Sequence, residues 1–475
     1  MLDLARTSAF LLAAVTLTGS SASAQWVEIE TPHFLVLSNV DVRTARNVAL
    51  EFEQAREVFL AAMDADMDSE LPVVIFAVAD SDDLRTLLPG IGEELPVGVF
   101  GNSPDRRRIA VRLDVPRDQR FATLYHEYHH LLFRSASKRA PIWLIEGLAE
   151  FWSSMVPSPG GGLEIGRPSP AHLRTLSQLK MAPLEQLLAF RGRVHDQPRE
   201  TIHLIYAQSW ALVHHLMLGT GADARATLDS YIQLIDAGGD AVTSFESTYG
   251  PIASVEQELS DYLDRTMFPA MTVDLPEPPP ASEFRTRDLS DADADAFVGG
   301  FIANGPWPDF AQDHLERALE LEPSSTTAME GMGFLKFRQG DFESAESWFD
   351  QAVASDRTSY LAHYFRAVLA MRRPGTSESV EAGLRRALEL NASFPPGFVA
   401  LSALVAEDED RLDEALTLAE QATVLAPDAA PTWMNLADIL ERLGRDEEAR
   451  QASERARNGE TYWWSNDSKS PGTTH

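Results

Sequence analysis

Four alanines constrain the C-terminal third of this chain. Ala318, Ala352, Ala387 and Ala422 recur 34, 35 and 35 residues apart, each inside a helix-forming run such as Ala318 to Pro323. Ala311, Ala345, Ala415 and Ala449 form a second series seven residues ahead in each unit, with Val380 standing in the third. Gly299, Gly333, Ala403 and Ala437 form a third, read as the small position of each unit's first helix. Small residues at a fixed period predict repeated two-helix units, close-packed and stacked on their neighbours, rather than one closed core.

These series, with Trp433-Met434-Asn435-Leu436-Ala437 in the last unit, resemble the tetratricopeptide repeat. The resemblance implies an all-α superhelix at 292–463 with five units, at about 292–325, 326–359, 361–394, 396–429 and 430–463. It also implies a concave face that binds a protein partner. Residues 464–475 are polar and read as a disordered tail. Upstream, 269–291 holds the run Pro276 to Pro280 and reads as a stiff, extended linker.

The chemistry lies before that linker. His126-Glu127-Tyr128-His129-His130 fits the HExxH pattern. On a helix, His126 and His130 project from one face, one turn apart. Two imidazoles so placed can share a tetrahedral Zn²⁺, with room for a third protein ligand and a water. Glu127, rotated toward the water's side, can take its proton as the metal lowers the water's pKa. The third ligand indicated is Glu146, on a following helix within Trp143-Leu144-Ile145-Glu146-Gly147. Glu150, one turn beyond, can accept the free ring N–H of a ligating histidine. The plainer readings are a chance HExxH and, for Glu146 and Glu150, a solvated acidic stripe.

His126 to His130 followed by Trp143 to Phe151 resembles the gluzincins, the metallopeptidase clan of thermolysin and the large zinc aminopeptidases, over roughly residues 26 to 270. The resemblance implies a zincin-like α+β catalytic domain at 25–268, a small mixed sheet plus helices. It implies zinc on His126, His130 and Glu146, Glu127 as general base, Glu150 behind a ligand histidine, and a peptide or protein substrate. It further implies that Tyr206, in Tyr206-Ala207-Gln208-Ser209-Trp210, donates to the oxyanion of the tetrahedral intermediate; otherwise Tyr206 is a core tyrosine. Zinc aminopeptidases of this clan carry an amine-binding glutamate ahead of HExxH, whereas Gly98 to Ser103 has none. The closer likeness is to exported bacterial peptidase MA-like proteins, which often carry tetratricopeptide repeats. In gluzincins the strand before the motif is a sheet edge that receives extended substrates; Ile109 to Leu113 is compatible with that or with an inner strand. The competing functional reading is an inactive, peptidase-like scaffold acting through its repeats. Intact Glu127 favours the enzyme.

Acidic residues outnumber basic ones 72 to 40, a net charge of −32, which argues against a nucleic-acid partner. The one compact basic run, Arg106-Arg107-Arg108, reads as a turn between strands, and Pro157 to Gly166 as an irregular loop. Residues 1–24 combine an apolar run, Ala9 to Leu17, with Ala22-Ser23-Ala24 before Gln25, the pattern of a secretory signal peptide. The expectation is therefore an exported protein, periplasmic or extracellular. No later segment reaches the ~20 apolar residues of a membrane span. The chain has no cysteine, so a thiolate ligand and a disulfide are excluded. His195, His203, His214 and His215 read as packing or surface residues.

Overall fold

Every side chain of Val73–Val78 is buried, as in a strand covered on both faces. The computed structural model describes residues 25–63, 72–93, 95–102, 106–117, 122–123, 125–126, 128–130, 139–158, 162–191, 194, 197–221, 223–274, 277, 279–373, 375–427 and 429–457. The first strands are β1 (Val27–Glu30), β2 (Phe34–Ser38), β3 (Val73–Val78), β4 (Gly98–Asn102) and β5 (Arg107–Arg112). Further along come β6 (Val156–Pro157), β7 (Leu163–Ile165), β8 (Met271–Val273) and β9 (Arg285–Asp288). A six-stranded mixed sheet runs β4-β5-β3-β2-β1-β9, with β2, β3 and β5 parallel; β6, β7 and β8 form a second, small antiparallel sheet.

The period-2 alternation of the strands divides the large sheet between two cores. Ile29, Val36, Ile75 and Ile109 face the helices of the N-terminal half. Leu37, Val74, Phe76 and Ala110 face the Asp291–Asn304 helix, where Phe76 meets Phe301 at a ring separation of 4.8 Å. That helix opens the C-terminal helical array.

Several expectations need correction. The stretch 269–291 is not a free-standing linker: β8 pairs with β7, β9 pairs with β1, and the first helix of the array begins at Asp291. The edges of β1 and β7 leave backbone groups that these segments satisfy. Pro157 to Gly166 is likewise not wholly irregular, since β6 and β7 form a hairpin there. Arg107 and Arg108 lie within β5 rather than in a turn. β5 is an inner strand, and the strand at that end of the sheet is β4.

The array consists of helix pairs at Asp291–Asn304 and Gln312–Leu321, Thr326–Arg338 and Phe342–Ser355, Tyr360–Ala370 and Ser377–Leu390, Pro395–Val405 and Leu412–Leu425, and Ala430–Arg442 and Asp446–Arg457. Ala318, Ala352, Ala387 and Ala422 are fully buried between helices. The first-helix small position falls on Gly299, Gly333, Ala367, Ser402 and Ala437; Ala403 is exposed. Ser402 is fully buried, and its hydroxyl donates to the Ala415 carbonyl at 2.8 Å. A polar residue fits that position because the paired helix satisfies it, which is why a search for Gly and Ala misses it. Among the described residues no helix is long and apolar enough to cross a membrane. The signal-like residues 1–24 and the tail 464–475 lie outside the described residues.

Candidate metal centre

Residues 122–123, 125–126 and 128–130 are helical, so the two motif histidines fall one turn apart. Tyr125, Tyr128 and His129 take the other side and are buried. They gather around Phe59 of the Val42–Met63 helix at ring separations of 6.5, 5.7 and 6.1 Å, and Phe34 of β2 lies 5.9 Å from Tyr128. This aromatic wedge sets the roll of the motif helix and turns His126 and His130 toward the Ile142–Ser153 helix. Glu127 lies outside the described residues.

Ile142–Ser153 follows an extended Pro141 and buries Trp143, Leu144, Leu148, Phe151 and Trp152. Gly147 lets it approach the Arg199–Leu218 helix. A Cβ at that position would lie 2.5 Å from the Ser209 carbonyl oxygen and 2.6 Å from Val213 Cγ2. Only glycine permits so close an approach to a neighbouring backbone. The adjacent Glu146 and, one turn on, Glu150 then meet the motif.

His126 Nε2 lies 2.9 Å from His130 Nε2 and 3.6 Å from Glu146 Oε2, and His130 Nε2 lies 3.3 Å from the same oxygen. Ligand atoms around tetrahedral zinc, at bonds of about 2.1 Å, stand about 3.4 Å apart. The three observed separations bracket that value, and two imidazoles with one carboxylate is a zinc-type donor set. On the far side of the ring, His126 Nδ1 is 3.3 Å from Glu150 Oε1. The residues present fit the metal.

The electrostatics agree with the geometry. Burial opposes ionisation of Glu146, but the charge on His130 and hydrogen bonds from His126 and His130 outweigh it and hold the carboxyl well below the ordinary range. Burial likewise opposes ionisation of Glu150, and hydrogen bonds from His126 and His172 overcome it. His126 is pushed down by burial yet raised well above its usual value by the two carboxylates. His129, buried beside His130 and His126, is driven well below. Two half-buried carboxylates thus give the cluster a demand for positive charge that a divalent cation can meet.

The chain returns to this site through the β6–β7 hairpin. It turns at Gly166, whose φ is 80° and where a side chain would meet Leu218 and Phe151. His214 secures the turn, donating from Nε2 to the Gly166 carbonyl at 2.6 Å, with Nδ1 2.8 Å from the Tyr262 hydroxyl. Ser169 then caps the Pro170–Gln178 helix, and His172 reaches back to Glu150, Nε2 to Oε2, at 2.8 Å. Sequence reasoning did not single out His172: it lies 22 residues beyond Glu150, and no spacing rule links the two. Tyr206 is buried beside Ile205 and Val194, with its ring 6.1 Å from that of His126. His215 faces Glu258 at 3.7 Å, His203 is exposed, and His195 lies outside the described residues.

Comparison with known proteins divides the chain in the same way. A family described as protein of unknown function, DUF1570, matches residues 120–232, a span containing the whole cluster. A tetratricopeptide-repeat family matches 308–360, and the middle tetratricopeptide-like domain of cilia and flagella-associated protein 70 matches 337–458. Similar solved structures include PilF of Pseudomonas aeruginosa, 19% identical over 36% of this chain and 77% of its own, TM-score 0.33. A thermophilic tetratricopeptide-repeat protein of Thermus thermophilus is 19% identical over 35% of this chain and 89% of its own, TM-score 0.30. MamA of Desulfovibrio magneticus is 15% identical over 36% and 94%, TM-score 0.31. No curated protein matches at a significant level. The family matches and the packing of the paired helices together make the C-terminal region an array of tetratricopeptide repeats, an architecture that binds protein partners.

Proposed function

We propose that this chain is a zinc-dependent hydrolase of peptide bonds, with a zincin-like N-terminal half of gluzincin type and a repeat array that recruits a substrate or partner protein. The observation that carries this reading is the convergence of His126, His130 and Glu146, whose ligand atoms all lie within 4.8 Å of one another. A zinc ion held there supplies a Lewis acid that acidifies a water and polarises a carbonyl. Glu150 accepts from His126 Nδ1 and so leaves Nε2 unprotonated for the metal. Glu127, next to His126 in the sequence, takes the attacking water's proton and passes it to the leaving amine. Tyr206, against the His126 ring, donates to the oxygen that gains charge during attack. An extended substrate would pair with β4, the strand that ends the sheet on that side. Export to the periplasm or medium, on the signal-like residues 1–24, belongs to the same reading.

Elemental analysis tests the site. About one zinc per wild-type chain, lost in Glu146→Ala, is expected; a wild type that takes no zinc even after reconstitution ends the reading. With zinc in place, Glu127→Gln should retain the metal and lose at least ~10²-fold in peptide turnover. Turnover at the wild-type rate would remove Glu127 as the base. The second reading, a scaffold without catalysis, is favoured by the repeat array itself and expects partner binding with neither zinc nor turnover.

A further inference from the structure

Glu150 has two imidazoles on it, one per carboxylate oxygen. The shorter contact, 2.8 Å, is to His172; the contact to His126 is 3.3 Å. A glutamate at the end of three rotatable bonds, held by one partner alone, is free to swing about its terminal torsion. A second partner on the other oxygen fixes the plane of the carboxylate. His172 is suited to that task because it is itself held. Its backbone N–H donates to Ser169 Oγ at 3.3 Å, and its ring lies over buried Trp210 at 5.7 Å and 36°. The ring comes from the Pro170–Gln178 helix, an element separate from those that carry the three ligands.

We propose that His172 is a positioning residue of the metal centre. Its Nε2–H holds Glu150 Oε2, so that Oε1 can hold His126 Nδ1 and aim His126 Nε2 at His130 and Glu146. The role rests on the metal reading above. It assigns to the Pro170–Gln178 helix the duty of ordering a ligand it does not touch. Groups that orient ligand histidines in this way typically contribute about ten- to a hundredfold in metal affinity. A purely structural role would need only the ring on Trp210, so donor and ring can be separated by substitution.

His172→Phe keeps a ring on Trp210 and removes the donor; His172→Gln returns an N–H at similar reach without the ring. Zinc affinity is measured by competition with a chromophoric chelator, and stability by thermal unfolding of the metal-stripped protein. The expected result is a zinc affinity about ten- to a hundredfold weaker in His172→Phe at an unchanged Tm, with His172→Gln close to wild type. A wild-type affinity in His172→Phe, with wild type itself binding zinc, overturns the positioning role alone. Equal losses in both variants, each with a lowered Tm, overturn it in favour of packing. A wild type that binds no zinc removes the metal reading and this role with it.

Discussion

Glu146 and Gly147 are adjacent and have opposite duties: one carries charge into the site, and the other is absent enough to let the helix sit there. Because the Ser209 carbonyl oxygen would lie 2.5 Å from any Cβ at position 147, the Ile142–Ser153 helix must move if that position is filled. Gly147→Ala should therefore destabilise the protein by about 1–3 kcal/mol and weaken zinc binding as Glu146 withdraws. Denaturant unfolding and chelator competition check both, and an unchanged protein would mean the helix pair tolerates separation. Tyr206→Phe tests a different atom. Loss of the hydroxyl should lower kcat while zinc content and Tm hold, whereas an unchanged kcat would return Tyr206 to the core. At this scale the cluster was largely legible in the sequence, because His126 with His130 and Glu146 with Glu150 are one-turn pairs. His172 was not, because only the folded return of the chain at Gly166 brings it to Glu150.

Between elements, the repeats show how one residue of register decides what is inside. Ser402 is fully buried against the Ala415 carbonyl, while its neighbour Ala403 faces out. Ser402→Leu should separate the Pro395–Val405 and Leu412–Leu425 helices and cost several times as much as Ala403→Leu, which adds a side chain to an exposed surface. Equal effects in thermal unfolding would contradict this register. The third and fourth units are also tied by Glu381, which accepts from Arg411 at 2.7 Å and from Arg385 at 2.7 Å. Hydrogen bonds from Arg411 and Arg385 pull its carboxyl from the ordinary 4.5 down to about 2. A carboxyl depressed on folding stabilises above its unfolded pKa and loses that contribution as pH falls through the folded one. The groups are partly exposed, so Glu381→Gln should cost less than about 1 kcal/mol at neutral pH. The difference from wild type should vanish as pH falls from 4.5 toward 2. Paired denaturant titrations across that range measure it, and a difference persisting at the acid end would assign the effect to packing instead.

Across the whole molecule, the large sheet serves two cores at once. Leu37, Val74, Phe76 and Val78 are covered by the helices that open the repeat array, and β9 joins the sheet beside β1 immediately before them. A fragment spanning 25–268 would keep His126, His130 and Glu146 but lose β8, β9 and that cover, leaving a contiguous apolar face. It should aggregate or bind a hydrophobic dye rather than fold cooperatively. A monomeric fragment with a sharp unfolding transition would show that the two halves are independent. The proline-rich composition of 269–291 suggested such independence. It misled because short strands that pair across more than a hundred residues leave no periodic mark of their own, only the unpaired edges they complete.

The sequence by itself determined the helix pairs of the array, the one-turn pairing of the motif histidines, and Glu146 with Glu150 on a single helical face. Each of these is a relation within a few turns, where helical geometry converts spacing directly into direction. Only the tertiary structure decided that the two faces meet, that His172 stands behind Glu150, and that β9 binds the repeats to the N-terminal sheet. Those relations depend on which surfaces remain to be buried once the local elements exist, and residues far apart in the chain acquire them only in the folded state.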